Sequence, residues 1–146
     1  MHLTKYSDYA LRTLMYLAAK DQSPATIKEI AETYDISRNH LTKIVHQLSI
    51  AGFVKTERGR GGGIRLGKPA SAINIGSVVR LTEEALEIAE CFNDPKNTCI
   101  ISGHCGLKVA LKRALSAFLQ ELDRYTLADF TSKNKGLATA LGISSH

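Results

Sequence analysis

Three cysteines occur in the chain, Cys91, Cys99 and Cys105, all inside the stretch CFNDPKNTCIISGHC. Intervals of seven and five residues separate them. An odd number of thiols cannot all pair as disulfides within one chain. A structural zinc site uses a close cysteine pair, C-x₂₋₄-C, and neither interval is that short. A nucleophilic cysteine needs a histidine and an orienting group, whose spatial placement sequence order does not reveal. A lone cysteine is as readily an inert packing residue. Three of them in one polar loop, among Asn93, Asp94, Pro95, Asn97 and Gly103, are poorly explained that way. Thiolates at loop spacing suit the iron of an iron–sulfur cluster. Such a cluster usually takes four ligands, so the fourth is expected to be a side chain other than cysteine, or a thiol from elsewhere.

The surrounding sequence fits a compartment in which free thiols persist. Its opening, MHLTKYSDYALRTLMYLAAK, has no basic start followed by an unbroken apolar run. No apolar stretch approaches the roughly 20 residues of a membrane span. A cytoplasmic protein without a membrane segment is expected. The 146 residues, 44% of them apolar, suit one core or one small domain with an appendage. Of the net charge of +5, all lies in residues 1–68, with eleven Lys/Arg against six Asp/Glu; residues 69–146 carry eight of each. Between Arg38 and Lys68, seven basic residues face one acid, Glu57. Such a module either presents a solvated basic face or meets a polyanion.

The elements that would position these groups are read from periodicity. Residues 6–19 set Tyr9, Ala10, Leu14, Leu17 and Ala18 at helical spacing, widened by Leu11 and Met15. Thr26 and Glu29 form a capping box that opens a short helix burying Ile27, Ile30 and Ala31. Ser37 caps a third helix with Leu41, Ile44, Val45 and Leu48 inside, and Gly52 ends it. A hairpin follows, residues 53–58 and 64–66, around a glycine-rich basic tip at 59–63. A further helix is expected over 76–86. A long one starts near Leu107, and Leu107, Leu111, Leu115, Phe118, Leu122 and Tyr125 recur along one seam. That seam packs on its own domain or on a second copy; self-association is favoured, because the first helices close a core among themselves.

Helix, capped helix, tight turn, capped helix and hairpin is the winged helix-turn-helix order. The expected fold is mainly α. A winged helix-turn-helix DNA-binding domain with a small β-hairpin wing covers 1–80, a linker helix and cysteine loop cover 81–106, a dimerisation helix covers 107–130, and 131–146 form a loose tail. The third helix buries one face and turns the other outward. Ser37, Arg38, Asn39, His40, Lys43 and Gln47 are placed there, where the first turns of a recognition helix meet base edges. Arg58, Arg60 and Arg65 of the hairpin suit phosphate contact or minor-groove insertion. Any one of these residues alone is a solvated surface group. No Lys-Ser or Lys-Thr follows GRGGG, which argues against a nucleotide loop.

The stretches YDISRNHLTKIVHQLSIAGFVKTERGRGGGIRLGKPASAINIG and FLQELDRYTLADF resemble the Rrf-type (NsrR/IscR/RirA) winged-helix iron–sulfur regulators, and among them the nitric-oxide-sensing, NsrR-like repressors. The resemblance spans residues 1–142 and is most specific in the third helix and the hairpin; AECF, ahead of Cys99, is closer to the iron-responsive members. It implies a homodimer that binds palindromic operators in double-stranded DNA and represses transcription, with nitric oxide as signal. It implies that Cys91, Cys99 and Cys105 hold an iron–sulfur cluster, of four irons in preference to two. It also implies that an aspartate matching Asp8, in YSDYALR, completes the coordination from the partner subunit. By residue type alone Asp8 is a surface carboxylate near a helix start. Some relatives use a histidine three residues after the last cysteine; Lys108 stands there, so that scheme does not transfer, and His104 is the rival ligand. Two further readings are an iron-responsive repressor that senses cluster loss and a zinc- or thiol-based redox-sensing transcription factor without a cluster. With no metalloprotease helix, nucleotide loop or triad, an enzyme is not expected.

Overall fold

Thr4 starts the first helix: its hydroxyl accepts the Ser7 N–H, and α1 runs Lys5–Lys20. The computed structural model describes residues 1–21 and 23–143. Ala10, Leu14 and Leu17 of α1 are buried, with Tyr9, Leu11, Met15 and Ala18 partly buried beside them, as the periodicity requires. Thr26 caps α2 (Ile27–Tyr34) by accepting the Glu29 N–H at 3.1 Å. Asp35, in the left-handed region at φ 54°, makes the tight turn. Ser37 then caps α3 (Arg38–Ile50), whose Leu41, Ile44, Val45 and Leu48 are all buried. The end of α3 is a Schellman turn. Phe53 N–H donates to the Leu48 carbonyl at 2.9 Å and Gly52 N–H to the Ser49 carbonyl at 3.0 Å. Gly52 sits at φ 82°, which a side chain would resist.

Strands β1 (Val54–Glu57) and β2 (Gly63–Leu66) pair antiparallel, with Val54 opposite Leu66 and Glu57 opposite Gly63. Ala25 extends this hairpin. Its N–H donates to the Ile64 carbonyl at 2.8 Å and its carbonyl accepts the Ile64 N–H at 2.7 Å. A Cβ on Gly63 would lie 2.4 Å from the Ala25 carbonyl oxygen, so the approach of the wing to the start of α2 depends on that glycine. Three helices and a wing share one core, with Phe53, Val54 and Ile64 buried against α1 and α3. The architecture is the expected winged helix-turn-helix.

The second half departs from the expected boundaries. Helix α4 covers Ile75–Thr82 and ends four residues before the expected 86, because Glu83 takes extended backbone (φ −93°, ψ 105°) and its carboxylate is drawn to Thr4. Helix α5 spans Gly106–Asp123, and the chain then turns back into α6 (Leu127–Thr131). Leu127 is fully buried in the core shared by α1 and α3. The stretch expected as a loose tail holds a further short helix, α7 (Lys135–Ala140), because Leu141 and Ile143 gain burial against the same core. Residues 144–146 of that stretch lie outside the described residues.

Among the described residues, none on α5 is buried. Leu107 is 65% exposed, and only the far end of the seam, Leu122 with Tyr125 beyond the helix, packs on the core. Asp123 anchors that end: it accepts from Arg80 of α4 at 2.5 and 2.8 Å, and its carbonyl accepts the Asn74 amide at 2.7 Å. Among the described residues no helix is long and apolar enough to cross a membrane.

Gly76 lies under this anchor, and a Cβ there would fall 1.9 Å from Asp123 Oδ1. Gly76→Ala is therefore expected to displace the Asp123 carboxylate and Arg80 with little change in Tm, because both are flexible ends of exposed side chains and alanine favours the helix. The hydrogen bond from Arg80 holds the Asp123 carboxyl below its usual range. The pair therefore stabilises the fold above the unfolded-state pKa of Asp123, and that contribution is lost as pH falls through the depressed folded value. The variant should lose this part of the acid-side dependence.

Candidate nucleic-acid interface and thiol loop

The outward face of α3 carries Arg38, Asn39, Thr42, Lys43 and His46, all exposed. Arg38, Thr42 and His46 follow at intervals of four, so they line one edge of the helix. Arg38, Asn39 and Lys43 were expected here; Thr42 and His46 were not, although their spacing from Arg38 marks the same face. Ser37 is occupied as the cap, its hydroxyl accepting the His40 N–H at 3.4 Å. Two expectations are corrected. His40 is half-buried against α1, its ring 5.8 Å from that of Tyr6 and 5.5 Å from that of Tyr9. It lies one position round from the exposed edge, where aromatic neighbours cover it. Gln47 likewise turns inward and donates from Nε2 to the Leu81 carbonyl at 2.9 Å.

The wing places Arg58 and Arg60 at its exposed tip, where Gly59 and Gly61 adopt φ 98° and 74°. Arg65 differs from them. It lies half-buried on β2, and its Nε is 2.9 Å from Glu57 Oε1 across the hairpin. Its charge is thereby partly spent within the protein. A groove between wing and helix is lined by Thr26, Lys28, Arg38 and Thr56 over Ile64. Lys28 escaped the sequence reading, because nothing local shows that the start of α2 borders this groove.

The thiol loop bridges α4 and α5. Glu90 begins a short 3-10 turn with Cys91, and its carboxylate accepts both the N–H and the hydroxyl of Thr98. The Thr98 hydroxyl and then its N–H hold the Glu90 carboxyl below its usual range. This contact joins the residue before Cys91 to the residue before Cys99. Asn97 accepts the Cys99 N–H at 3.0 Å and donates to the Ser102 hydroxyl at 2.8 Å. Cys105 is the N-cap of α5, its sulfur accepting the Lys108 N–H at 3.4 Å. The position of Lys108 thus serves the loop through its backbone.

All three thiols are free, with Cys99 exposed and Cys91 and Cys105 half-buried. Their chemistry fits an iron–sulfur cluster: three soft donors in one solvent-reached loop, one of them already accepting a backbone N–H. Within the single chain they are not gathered. Among the described residues, no three His, Cys, Asp or Glu side chains lie close enough together to hold a metal ion. His104 is exposed in the turn before Cys105. Asp8 is on α1 and binds Arg12 in a forked pair, at 3.0 Å to Nε and 2.8 Å to Nη2. Arg12 in turn lies over the rings of Tyr9 and Tyr34, at 5.7 and 5.8 Å. A ligand role for Asp8 requires it to leave Arg12, which those rings would still hold.

Comparison with known proteins gives a consistent picture. The family profile described as Rrf2, iron-dependent transcriptional regulator, matches residues 3–133. The "HTH-type transcriptional regulator NsrR" of Bacillus subtilis strain 168 is 55% identical over 136 residues, 92% of each chain. The protein of the same name from Bacillus licheniformis is 54% identical over 130 residues, 88% of this chain and 91% of its own. Among solved structures, CymR, the global cysteine regulator of B. subtilis, superposes with a TM-score of 0.69 at 29% identity, over 90% of this chain and 97% of that one.

The cap and ligand roles of Cys105 are separable. Serine is a good N-cap and alanine a poor one, so Cys105→Ser is expected to melt near the wild type. Cys105→Ala should lose about 1 kcal/mol of stability, measured by thermal unfolding.

Proposed function

This chain belongs to the Rrf2 family of iron-dependent transcriptional regulators, and from that premise we propose that it is a homodimeric repressor of palindromic operators whose iron–sulfur cluster, of four irons rather than two, responds to nitric oxide. It is a DNA-binding regulator rather than an enzyme. The observation that carries the finer reading is the position of Cys105. The last thiol of the loop is also the N-cap of α5, the helix whose apolar seam is exposed at Leu107 and only half-buried at Leu111, Leu115 and Phe118. Metal binding and subunit pairing would therefore share one rigid element.

When bound, the cluster supplies iron at which nitric oxide can bind and iron–thiolate bonds that hold the loop. The protein's own residues do the rest. Cys91, Cys99 and Cys105 are its ligands in one subunit, and Asp8 of the partner subunit supplies the fourth, with His104 its rival. The seam of Leu107, Leu111, Leu115 and Phe118 pairs with its copy, which buries apolar surface worth about 25 cal/mol per Å². Arg38, Asn39 and Lys43, joined by Thr42 and His46, face base edges in the major groove, and Ser37 holds the start of their helix. Arg58 and Arg60 follow the wing to the minor groove or backbone. Arg65 contributes less, because Glu57 holds it. Two recognition helices read half-sites about one helical turn or a multiple apart, so a small change in their separation weakens both contacts together.

Three measurements test the proposal. Anaerobically prepared protein should be coloured, with about four irons per chain, and should lose operator affinity on titration with nitric oxide; unchanged affinity after complete reaction would sink the signal assignment. The family's description as iron-dependent favours cluster loss as a second signal. Iron chelation without nitric oxide separates the two. Arg58→Ala and Arg60→Ala should each lower the steepness of the salt dependence of the dimer by about 1.8, one phosphate worth about 0.9 in each subunit. Arg65→Ala should lower it less.

A further inference from the structure

The start of α1 and the end of α4 are tied by more than packing. Glu83 closes α4, its N–H donating to the Val79 carbonyl at 2.9 Å, and opens the extended segment that leads to the thiols. One oxygen of its carboxylate, Oε1, accepts both the Thr4 N–H at 2.8 Å and the Thr4 hydroxyl at 2.9 Å. Thr4 is the residue that caps α1. Beneath this contact the hydroxyls of Ser7 and Thr82 meet at 2.7 Å, both buried, while Thr82 donates onward to the Val78 carbonyl at 2.9 Å.

From α1 the contacts continue into α3. The Tyr6 hydroxyl donates to the Lys43 carbonyl at 3.3 Å, and the Tyr6 and Tyr9 rings hold His40. From α3 they return to α4, where Gln47 donates to the carbonyl of Leu81, two residues before Glu83. Three helices are thus linked in a closed ring at one corner of the domain. The segment that bears the thiols joins this ring at Glu83.

We propose that Glu83 is a positioning residue that passes displacement of the thiol-bearing segment to the recognition helix by gripping the capped end of α1. Its regulatory meaning rests on the function proposed above; its mechanical role does not. Two donors from one residue onto one oxygen fix direction as well as distance, where a single hydrogen bond would leave a pivot. Burial raises the Glu83 carboxyl, but the polar surroundings of Ser7 and the N–H and hydroxyl of Thr4 outweigh it, and the group is held below its usual range. It is therefore a carboxylate at neutral pH, set at the positive end of the α1 dipole. A shift of residues 84–90 must either break this grip or carry α1 with it. Carrying α1 moves Tyr6 and Tyr9, on which His40 and Lys43 rest.

The test compares the full-length chain with Glu83→Ala, Glu83→Gln and Thr4→Val by amide hydrogen exchange. In Glu83→Ala and Thr4→Val, amides of the first two turns of α1 and of residues 40–47 should exchange about fivefold faster or more, with the hairpin unchanged. Glu83→Gln keeps a carbonyl acceptor at the same reach and should stay within about twofold of the wild type. Faster exchange confined to α1, or spread evenly over the chain, would overturn the proposal, because Glu83 would then be a local cap or a general stabiliser. In a second arm each variant is loaded with iron and sulfide and checked for the wild-type visible spectrum. The ratio of operator affinities, loaded against metal-free, should fall in Glu83→Ala to within about twofold of unity; a wild-type ratio in that variant counts against the grip. A wild-type chain with no such ratio would refute the proposed function, and the exchange arm would still decide the role of Glu83.

Discussion

The buried hydroxyl pair of Ser7 and Thr82 sets the register on which the rest of the domain depends. Polar groups taken out of water must find partners, and an unmet hydroxyl costs about 1–3 kcal/mol. Sliding α1 along α4 would separate these two, so one axial position is favoured over its neighbours. That position places Thr4 under Glu83 and brings Tyr6 and Tyr9 opposite His40. Apolar packing alone is less selective, because the stripe of Ala10, Leu14 and Leu17 would tolerate small shifts.

Charge is arranged over this core with a clear division. The basic excess of the first half emerges on the exposed edge of α3, at the wing tip and at the start of α2, around one groove. Not every cation is left for a partner. Lys20 is tied to Glu29, Arg12 to Asp8 and Arg65 to Glu57. Of the others, Arg38 and Lys43 on α3 and Arg58 and Arg60 at the wing tip are exposed to a polyanion, with Lys28 bordering the groove and only loosely paired to Glu32 at 3.9 Å. Net charge thus gives the kind of partner, and pairing decides which residues serve it.

The second half behaves as an arm on that domain. Arg80, Asp123 and Asn74 fasten the far end of α5, and Leu127 buries the chain again just beyond it. The near end carries Cys105 and the thiol loop, with Ile100 98% and Leu107 65% exposed. Such apolar exposure at the free end of a long helix contrasts with the closed stripes of α1, α2 and α3, and the proposed homodimer would cover it. The loop's own hydrogen bonds, Glu90 to Thr98 and Asn97 to Ser102, order its backbone without bringing the sulfurs together.

Much of this was readable from the chain. Capping by Thr26 and Ser37, the stop at Gly52, the inner faces of the first three helices and the glycine-rich wing rest on contacts within a few residues, and the order of types along the chain already holds that information. That the three thiols share one loop is local information of the same kind, whereas their sulfurs are not gathered within the single chain. Tertiary structure alone decided which outward residues stay outward. His40 turned to Tyr6 and Tyr9, Gln47 to Leu81, and Glu83 ended α4 by reaching Thr4, a partner 79 positions away. Leu141 and Ile143 likewise docked a segment that looked loose. A side chain's neighbours across the fold set its burial and its bonds, and no period or spacing encodes which distant residue will arrive beside it.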